Sequence, residues 1–193
     1  MILTHLSRAP WRIHHCLLLI AVALLSACGK PAPQKLLLAD GTQIVLLNGT
    51  RAVLADGFPV RREIQLEGNG EVFIKAHMQD KPLIVRTGLL ILTVEGDTAF
   101  RASVSSEKIG EQAEVLSGHV RAAKAYPSRY SEPDDLVGGE MSMINRSIDL
   151  MEKEKFDPRE LERWTKDVLS ESTASKDPTT APARPPGPAQ PAR

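Results

Sequence analysis

The fold is decided by residues 63–88, which read EIQLEGNGEVFIKAHMQDKPLIVRTG. Ile64 and Leu66 alternate with polar residues, which is the period of a half-buried strand. Glycines on both sides of Asn69 permit positive φ, so the chain can reverse direction there. A second apolar run covers residues 72–76, and a third is opened by a proline, which a strand tolerates at its first position. Three short strands separated by turn residues predict an antiparallel sheet.

The region before this stretch repeats the same pattern of short apolar runs and tight turns. Apolar runs at 35–38, 43–47 and 51–54 are separated by the turn dipeptides Asp40-Gly41 and Asn48-Gly49. Such regular spacing predicts an all-β fold, either a sandwich of short antiparallel strands or a solenoid-like roll. Aromatic residues make up only 4% of the chain, so aliphatic side chains are expected to fill the core.

The region after it predicts further strands. Residues 89–94 are almost continuously apolar, which indicates a strand buried on both faces. We expect residues 95–97 to interrupt that strand before residues 99–104 resume it. Ser117-Gly118 is interpreted as a tight turn between two strands, and residues 126–135, which contain two prolines, as a loop.

The last predicted element is a helix over residues 158–169. Asp157 is expected to cap it, and Pro158 occupies the first helical position, where proline is favoured. Three apolar residues share one face at helical spacing, namely Leu161, Trp164 and Val168. This face is expected to pack on the sheet with Trp164 buried. A helix that binds a partner is the alternative.

The first 27 residues have the features of a bacterial lipoprotein signal peptide. Arg8 and Arg12 form a positive start, and the apolar run from Cys16 to Leu25 is shorter than the roughly 20 residues that a membrane span needs. Leu-Ser-Ala-Cys-Gly at 25–29 matches a lipobox, so Cys28 is predicted to carry lipid. An ordinary signal peptide or a single membrane anchor is the alternative. Because the residue after Cys28 is not Asp, the outer membrane is favoured over the inner.

Cleavage before Cys28 changes the composition in two ways. It removes two basic residues and no acidic ones, so 22 basic and 24 acidic side chains leave a net charge of −2. It also leaves Cys28 as the single cysteine, which excludes a disulfide within the mature chain and a cysteine metal site. The sequence has no basic patch of the kind that binds nucleic acid, so a nucleic acid partner is not expected.

The predicted domain organisation has four parts. Residues 1–27 are the signal peptide, 28–35 a proline-containing tether, 36–170 the β domain with its helix, and 171–193 a tail. The tail is rich in proline and lacks large apolar residues, so it is expected to be disordered.

The sequence contains few of the residue patterns that are typical of catalytic sites. His77 and His119 are the histidines outside the predicted signal, and each lies beside turn residues, where a solvated side chain is the simplest interpretation. The serines at 103, 105 and 106 do not follow a nucleophile-elbow pattern. Glu152 and Glu154 alternate with lysines, as on a solvated face. We therefore expect no enzyme, no cofactor, no metal and no small-molecule substrate. A hydrolase using His77 or His119 stays as an alternative.

The motifs resemble those of the FecR-like domain. The resemblance is carried by Gly70-Glu71-Val72-Phe73, by Pro82-Leu83-Ile84-Val85-Arg86-Thr87-Gly88, by Thr98-Ala99-Phe100, by Glu114-Val115-Leu116-Ser117-Gly118-His119-Val120 and by Leu136-Val137-Gly138-Gly139-Glu140. It covers roughly residues 36–169, and it favours a strand over a helix for residues 148–156.

The resemblance also implies a function class. Fuller members of the family are inner-membrane signal transducers, with an anti-sigma segment before the β domain and a further module after it. This sequence departs from that plan, because only fifteen residues precede its apolar run and a proline-rich tail follows its helix. We therefore expect a lipid-anchored periplasmic interaction or sensor module that binds an envelope protein. A structural envelope lipoprotein that holds an assembly or a cell-wall component is the alternative.

Overall fold

The structure is a computed structural model, and it describes residues 32–130 and 132–174. The described residues form eleven strands and one α-helix, with a short 3₁₀ turn at Arg146–Ile148. In chain order they are β1 (Gln34–Leu37), β2 (Gln43–Leu46), β3 (Arg51–Leu54), β4 (Glu63–Glu67), β5 (Gly70–Ala76), β6 (Leu83–Arg86), β7 (Leu90–Val104), β8 (Gly110–Lys124), β9 (Asp134–Val137), β10 (Glu140–Asn145), β11 (Leu150–Lys155) and the helix α1 (Pro158–Ala174). The prediction of an all-β fold with one C-terminal helix is confirmed.

All the described strands belong to one curled sheet. One path through it runs β1-β2-β5-β7-β6-β4-β3, and β8 extends it from β7 to β9 and β10, with β11 beyond β10. The pairs are antiparallel except for β4 with β6, which run parallel. Because the sheet curls over, one face of most strands lines a common core.

The core is aliphatic, as the low aromatic content predicts. Phe100 is the large aromatic side chain that the core encloses completely. The other large side chains that are fully enclosed are Ile44, Ile64, Leu66, Ile74, Leu83, Leu89, Leu90, Leu92, Leu136, Leu161 and Val72. We call the opposite side of the sheet the outer face.

The three strands predicted for residues 63–88 all form, with the predicted faces. Ile64 and Leu66 of β4 are buried, and on β5 Val72 and Ile74 point into the core. Their pairing differs from the predicted antiparallel arrangement. Gly68 has φ +111°, and there the chain leaves β4 for a distant part of the sheet, where β5 pairs with β2 and β7. The chain returns as β6, which lies parallel to β4 because β5 forms the crossover between them.

Strands β7 and β8 are longer than predicted. Residues 95–97 do not interrupt β7, because the pairing with β8 shifts between Glu95 and Phe100 and forms a bulge there. Ser117-Gly118 is a continuous part of β8 opposite this bulge, so the predicted turn is wrong. Residues 89–94 are not buried on both faces either, because Ile91 and Thr93 are half-buried on the outer face.

Helix α1 packs on the outer face of the sheet. Its cap is as predicted, since the Asp157 carboxylate accepts a hydrogen bond from the Arg159 amide at 3.0 Å. Leu161 and Val168 are buried, and Val168 joins a small apolar cluster with Phe73 of β5. The helix continues to Ala174, five residues beyond the predicted end and four residues into the predicted tail.

The last turns of α1 lie beside the first strand. The Lys35 ammonium group donates a hydrogen bond to the Leu169 carbonyl oxygen at 2.9 Å. Within the described residues, no helix has both the length and the apolar character needed to cross a membrane. The predicted signal peptide, Cys28 and the first half of the predicted tether lie outside the described residues, as does the tail from residue 175.

Candidate functional site

A stacked ionic cluster lies where the helix meets the outer face. The Arg101 guanidinium group of β7 lies 4.8 Å from the centre of the Trp164 ring. The same group contacts the Glu114 carboxylate at 2.5 Å and the Glu71 carboxylate at 3.3 Å. Phe73 flanks the indole, with ring centres 6.3 Å apart. Trp164 is therefore half-buried against charged and aromatic groups, and the prediction that it is buried holds only in part.

This cluster fixes the helix on the sheet. Arg101 and Glu114 lie opposite each other on β7 and β8, so their ion pair forms across neighbouring strands. A guanidinium group over an indole face adds a cation–π attraction that strengthens where water is excluded. The sequence motifs did not reveal this contact, because the residues come from separate elements.

One of the family-like motifs lies at a bend after β6, where Glu111 contacts it. The Glu111 side chain is buried, and its carboxylate accepts hydrogen bonds from the Leu89 amide at 2.9 Å and from the Gly88 and Ser105 amides at 3.2 Å. The Thr87 hydroxyl group donates a further short hydrogen bond to it. Thr87-Gly88 therefore serves the fold, because Glu111 satisfies backbone amides that would otherwise be buried without partners.

Two further motifs meet at the bulge of β7, and they are the ones that contain Thr98 and Gly118. Gly118 has φ +88°, and a Cβ atom there would lie 2.3 Å from the Thr98 hydroxyl oxygen, so glycine is required. That hydroxyl group donates to the Glu95 carbonyl oxygen at 3.0 Å and accepts from the His119 amide at 3.2 Å. The motifs that carry the resemblance thus hold two irregular points of the sheet together.

Both candidate histidines lie beside this bulge and pair with aspartates. His77 Nδ1 is 3.1 Å from an Asp97 carboxylate oxygen, and His119 Nε2 is 3.5 Å from an Asp135 carboxylate oxygen. The His77 side chain is 61% exposed and the His119 side chain 39% exposed. Both histidines are thus partly exposed and paired with a neighbouring aspartate, in agreement with the predicted solvated side chains.

The surroundings of His77 do not assemble a nucleophilic triad. A cavity of about 260 Å³ is lined by His77, Asp97 and Ser117, among other residues. The Met78 amide donates a hydrogen bond to Asp97 and holds the pKa of that carboxyl group below its ordinary value. No hydrogen bond joins Ser117 to His77 in the described part of the chain, whereas an activated serine needs its base within about 3.2 Å.

The serines considered as nucleophiles have structural contacts. Ser103 accepts a hydrogen bond from the Gln112 amide at 2.8 Å, and the Ser105 amide is one of the donors to Glu111. Glu152 and Glu154 lie exposed on β11. Across residues 32–130 and 132–174, no cluster of three or more His, Cys, Asp or Glu side chains is arranged to hold a metal ion.

Two ion pairs tie connecting segments to the sheet, and one of them, between Arg62 and Asp40, is buried. Arg62 contacts Asp40 at 2.9 Å, with both side chains almost fully enclosed, and it also donates to the His77 and Lys81 carbonyl oxygens. Lys124, only 2% exposed at its side chain, contacts Asp149 at 2.9 Å. The second pair sits near Tyr126, and burial raises the pKa of the Tyr126 hydroxyl group. Both pairs hold connecting segments against the sheet.

A further surface is the free edge of the sheet at β3. This strand pairs with β4 alone, and its outer side has no neighbouring strand in the described residues. Val53 is 48% exposed and Leu54 is 40% exposed. The sequence pattern showed that residues 51–54 form a strand but not that the strand lies at an edge. Low charge along a strand is more typical of a central position, so the sequence did not indicate the edge.

Comparison with known proteins places this geometry in a family. The profile described as FecR protein matches residues 27–121. No curated protein sequence matches the chain. Two crystal structures of a candidate anti-sigma factor from Parabacteroides distasonis ATCC 8503 are similar to this structure, with TM-scores of 0.61 and 0.60 and 23% sequence identity in both cases.

These structures establish the fold. The similar region covers 71% of this chain and 62% of the Parabacteroides protein, so this chain spans less than two thirds of that protein. The profile match includes β1 to β7 and most of β8, together with the two bends that the motif residues stabilise. The region of residues 27–121 is therefore a domain of the FecR family.

Proposed function

We propose that this chain is a lipid-anchored FecR-domain protein of the bacterial envelope that acts in signalling through protein contacts and not through catalysis. The observation that carries the proposal is the FecR match, which begins at residue 27, next to Cys28 of the lipobox-like segment. The anti-sigma description of the structurally similar protein supports a regulatory role. The outer face of the described sheet has histidines paired with aspartates, and among the described residues His77 has no serine nucleophile hydrogen-bonded to it, which agrees with a binding module.

The anchor is tested by labelling cells with a radioactive fatty acid. The parent chain and Cys16→Ala, the matched control, should both incorporate label, because Cys16 lies in the predicted signal peptide. Cys28→Ala should incorporate none and should stay uncleaved. Two lipid chains give stable membrane attachment where one gives only marginal binding, so the parent should also remain in the membrane fraction. Label retained by Cys28→Ala would overturn the anchoring part of the proposal.

The signalling role is tested by cross-linking in intact cells. A photoreactive residue at Lys75, which is exposed on the outer face beside His77, should capture an envelope protein that belongs to a signalling system. The same residue at Asp80, in an exposed loop, serves as the control for random capture. If only cell-wall or assembly components are captured, the chain has a scaffolding role instead.

A further inference from the structure

Four strands in the described residues have a single neighbour, and three of them carry features that oppose further pairing. Strand β1 carries Lys35, β9 follows a proline and contains two aspartates, and β11 carries four charged residues in a row at 152–155. Lysine, proline and charge are the usual means by which proteins protect free edges. Strand β3 has only Arg51, and Glu67 of the neighbouring strand holds that side chain at 2.7 Å. The β3 edge is therefore the least protected.

The free side of β3 offers backbone groups at two positions. In the antiparallel pairing with β4, residues opposite each other alternate between hydrogen-bonded and non-hydrogen-bonded pairs. The Ala55 amide donates to the Glu63 carbonyl oxygen, so Val53 and Arg51 also direct their backbone groups toward β4. Ala52 and Leu54 consequently direct their N–H and C=O groups away from the sheet.

The same two residues leave the core incompletely covered. Ala52 lies opposite Leu66 and Leu54 lies opposite Ile64, and both partners on β4 are buried. Ala52 and Leu54 thus share the core face of the sheet, yet Leu54 stays 40% exposed. A strand added at this edge would bury the Leu54 side chain and would pair the free backbone groups.

We propose that this edge pairs with the β3 edge of a second copy of the chain. A two-fold axis through Val53 places Ala52 of one copy opposite Leu54 of the other, and Leu54 opposite Ala52. Both of these pairs are hydrogen-bonded pairs, so four backbone hydrogen bonds form across the axis. A small side chain faces a large one on the core side at both positions. Such an interface is isologous, as expected for a symmetric dimer.

The charges along this edge agree with a second copy as the occupant, and the short length of the strand limits the affinity. In this register Arg51 lies opposite Ala55 and not opposite the Arg51 of the other copy, so no like charges meet directly. A four-residue strand buries much less than the about 1,600 Å² of a standard interface, so the dimer is weak in dilute solution. Confinement to a surface would raise the effective concentration and the dimer population. The pairing itself does not depend on a lipid anchor.

The register gives a sharp test with cysteine variants of the full chain, purified in detergent and oxidised with diamide. Across the axis the two Val53 residues form a non-hydrogen-bonded pair with Cα atoms about 4.5 Å apart. That distance lies within the about 4.4 to 6.8 Å that a disulfide spans. Val53→Cys should therefore form a reducible dimer. Ala52→Cys and Leu54→Cys, the matched controls on the same strand, should show no more dimer than the parent, whose own cysteines set the background.

A second variant distinguishes specific pairing of the two β3 edges from cross-linking by random collision. Dimers are captured by a photoreactive residue that replaces Arg51, because this chemistry does not depend on an introduced lysine. Val53→Lys places two ammonium groups opposite each other across the axis and should abolish these dimers. Val60→Lys, at a residue that is 74% exposed and outside the strand, should leave them unchanged. The proposal is overturned if Val53→Cys stays monomeric, if all three cysteine positions cross-link equally, or if Val53→Lys associates like the parent.

Discussion

At the residue scale, the buried carboxylate of Glu111 has the most demanding role among the motif contacts. It satisfies three backbone amides and one hydroxyl group at the bend after β6. Two of its partners, Thr87 and Gly88, belong to a family-like motif, whereas Glu111 itself lies near the start of β8. A contact that joins a motif to a residue outside it cannot be recognised from motif spacing alone.

Removing that carboxylate should be costly. Glu111→Ala leaves buried amides without acceptors, and each unsatisfied group costs about 1–3 kcal/mol. We expect the free energy of unfolding to fall by roughly 3 kcal/mol or more, as measured by urea denaturation. Glu107→Ala, in the exposed loop before β8, should change it by less than about 0.5 kcal/mol. Equal stability of the two variants would contradict the structural role of Glu111.

A second residue, Asp149, should make stability depend on pH. The hydrogen bond from Lys124, and then that from Ser128, hold the pKa of the Asp149 carboxyl group below its ordinary value. A pKa that is lower in the folded state gives a stabilising contribution that is complete above the unfolded value of about 3.9 and is lost as the pH falls through the folded value.

Asp149→Asn removes that contribution and keeps the backbone geometry, because asparagine tolerates the φ of +52° at this position. The variant should be less stable than the parent near pH 7, and the difference should shrink as the pH falls below about 4. Urea denaturation at a series of pH values checks this. Asp80→Asn, in an exposed loop, is the control for general effects of charge. A difference that stays constant down to pH 2.5 would show that the ion pair with Lys124 contributes nothing.

At the element scale, the helix depends on contacts that its own sequence does not display. Apolar spacing predicted the buried positions of Leu161 and Val168, because helical periodicity alone determines them. The same spacing placed Trp164 in the core, whereas the structure stacks it on Arg101 at the border of the interface. Periodicity identifies the face of a helix but not which polar groups the sheet presents to it.

Truncation of the tryptophan should therefore have an intermediate effect. Trp164→Ala loses the stacking on Arg101 and the contact with Phe73, but the side chain is only half-buried. We expect a loss of about 2 kcal/mol, below the roughly 3–5 kcal/mol of a fully buried tryptophan. Leu161→Ala should cost about as much or more, within the usual 2–5 kcal/mol for a buried leucine. Lys166→Ala, exposed on the same helix, should cost little. Calorimetric melting of the four proteins ranks these effects.

The strands show a similar division between what the sequence predicts and what it does not. Alternating residues and turn dipeptides identified most strands, because local side-chain preference determines them. The sequence pattern predicts breaks at Gly96 and Gly118, yet both glycines lie at a bulge inside two long strands. A single sequence does not distinguish a glycine that forms a turn from a glycine that lets a bulged neighbouring strand approach the backbone closely. The parallel pairing of β4 with β6 depends on long-range topology, which local patterns do not encode.

At the scale of the whole molecule, stability should be unevenly distributed over the sheet. Strands β7 and β8 lie at its centre and contribute many of the buried side chains, whereas β1, β3 and β11 lie at its edges. Amide hydrogen exchange is slowest where opening requires global unfolding and fastest where strands fray locally. We expect the slowest exchange in β7 and β8 and fast exchange at the Ala52 and Leu54 amides in the monomer. Strong protection of these two amides at high dilution would indicate an intramolecular partner.

The contact between Lys35 and Leu169 has a consequence for engineering. It places the first strand of the described domain beside the last turns of its helix. Domains with neighbouring ends can be circularly permuted or spliced into a surface loop of another protein without distorting either partner. A glycine-rich linker from Ala174 to Gln34, with new ends in the exposed loop around Glu107, would give a permuted chain that keeps all the described strands and the helix. The same proximity would allow the domain to be inserted as a folded unit into a surface loop of a host protein.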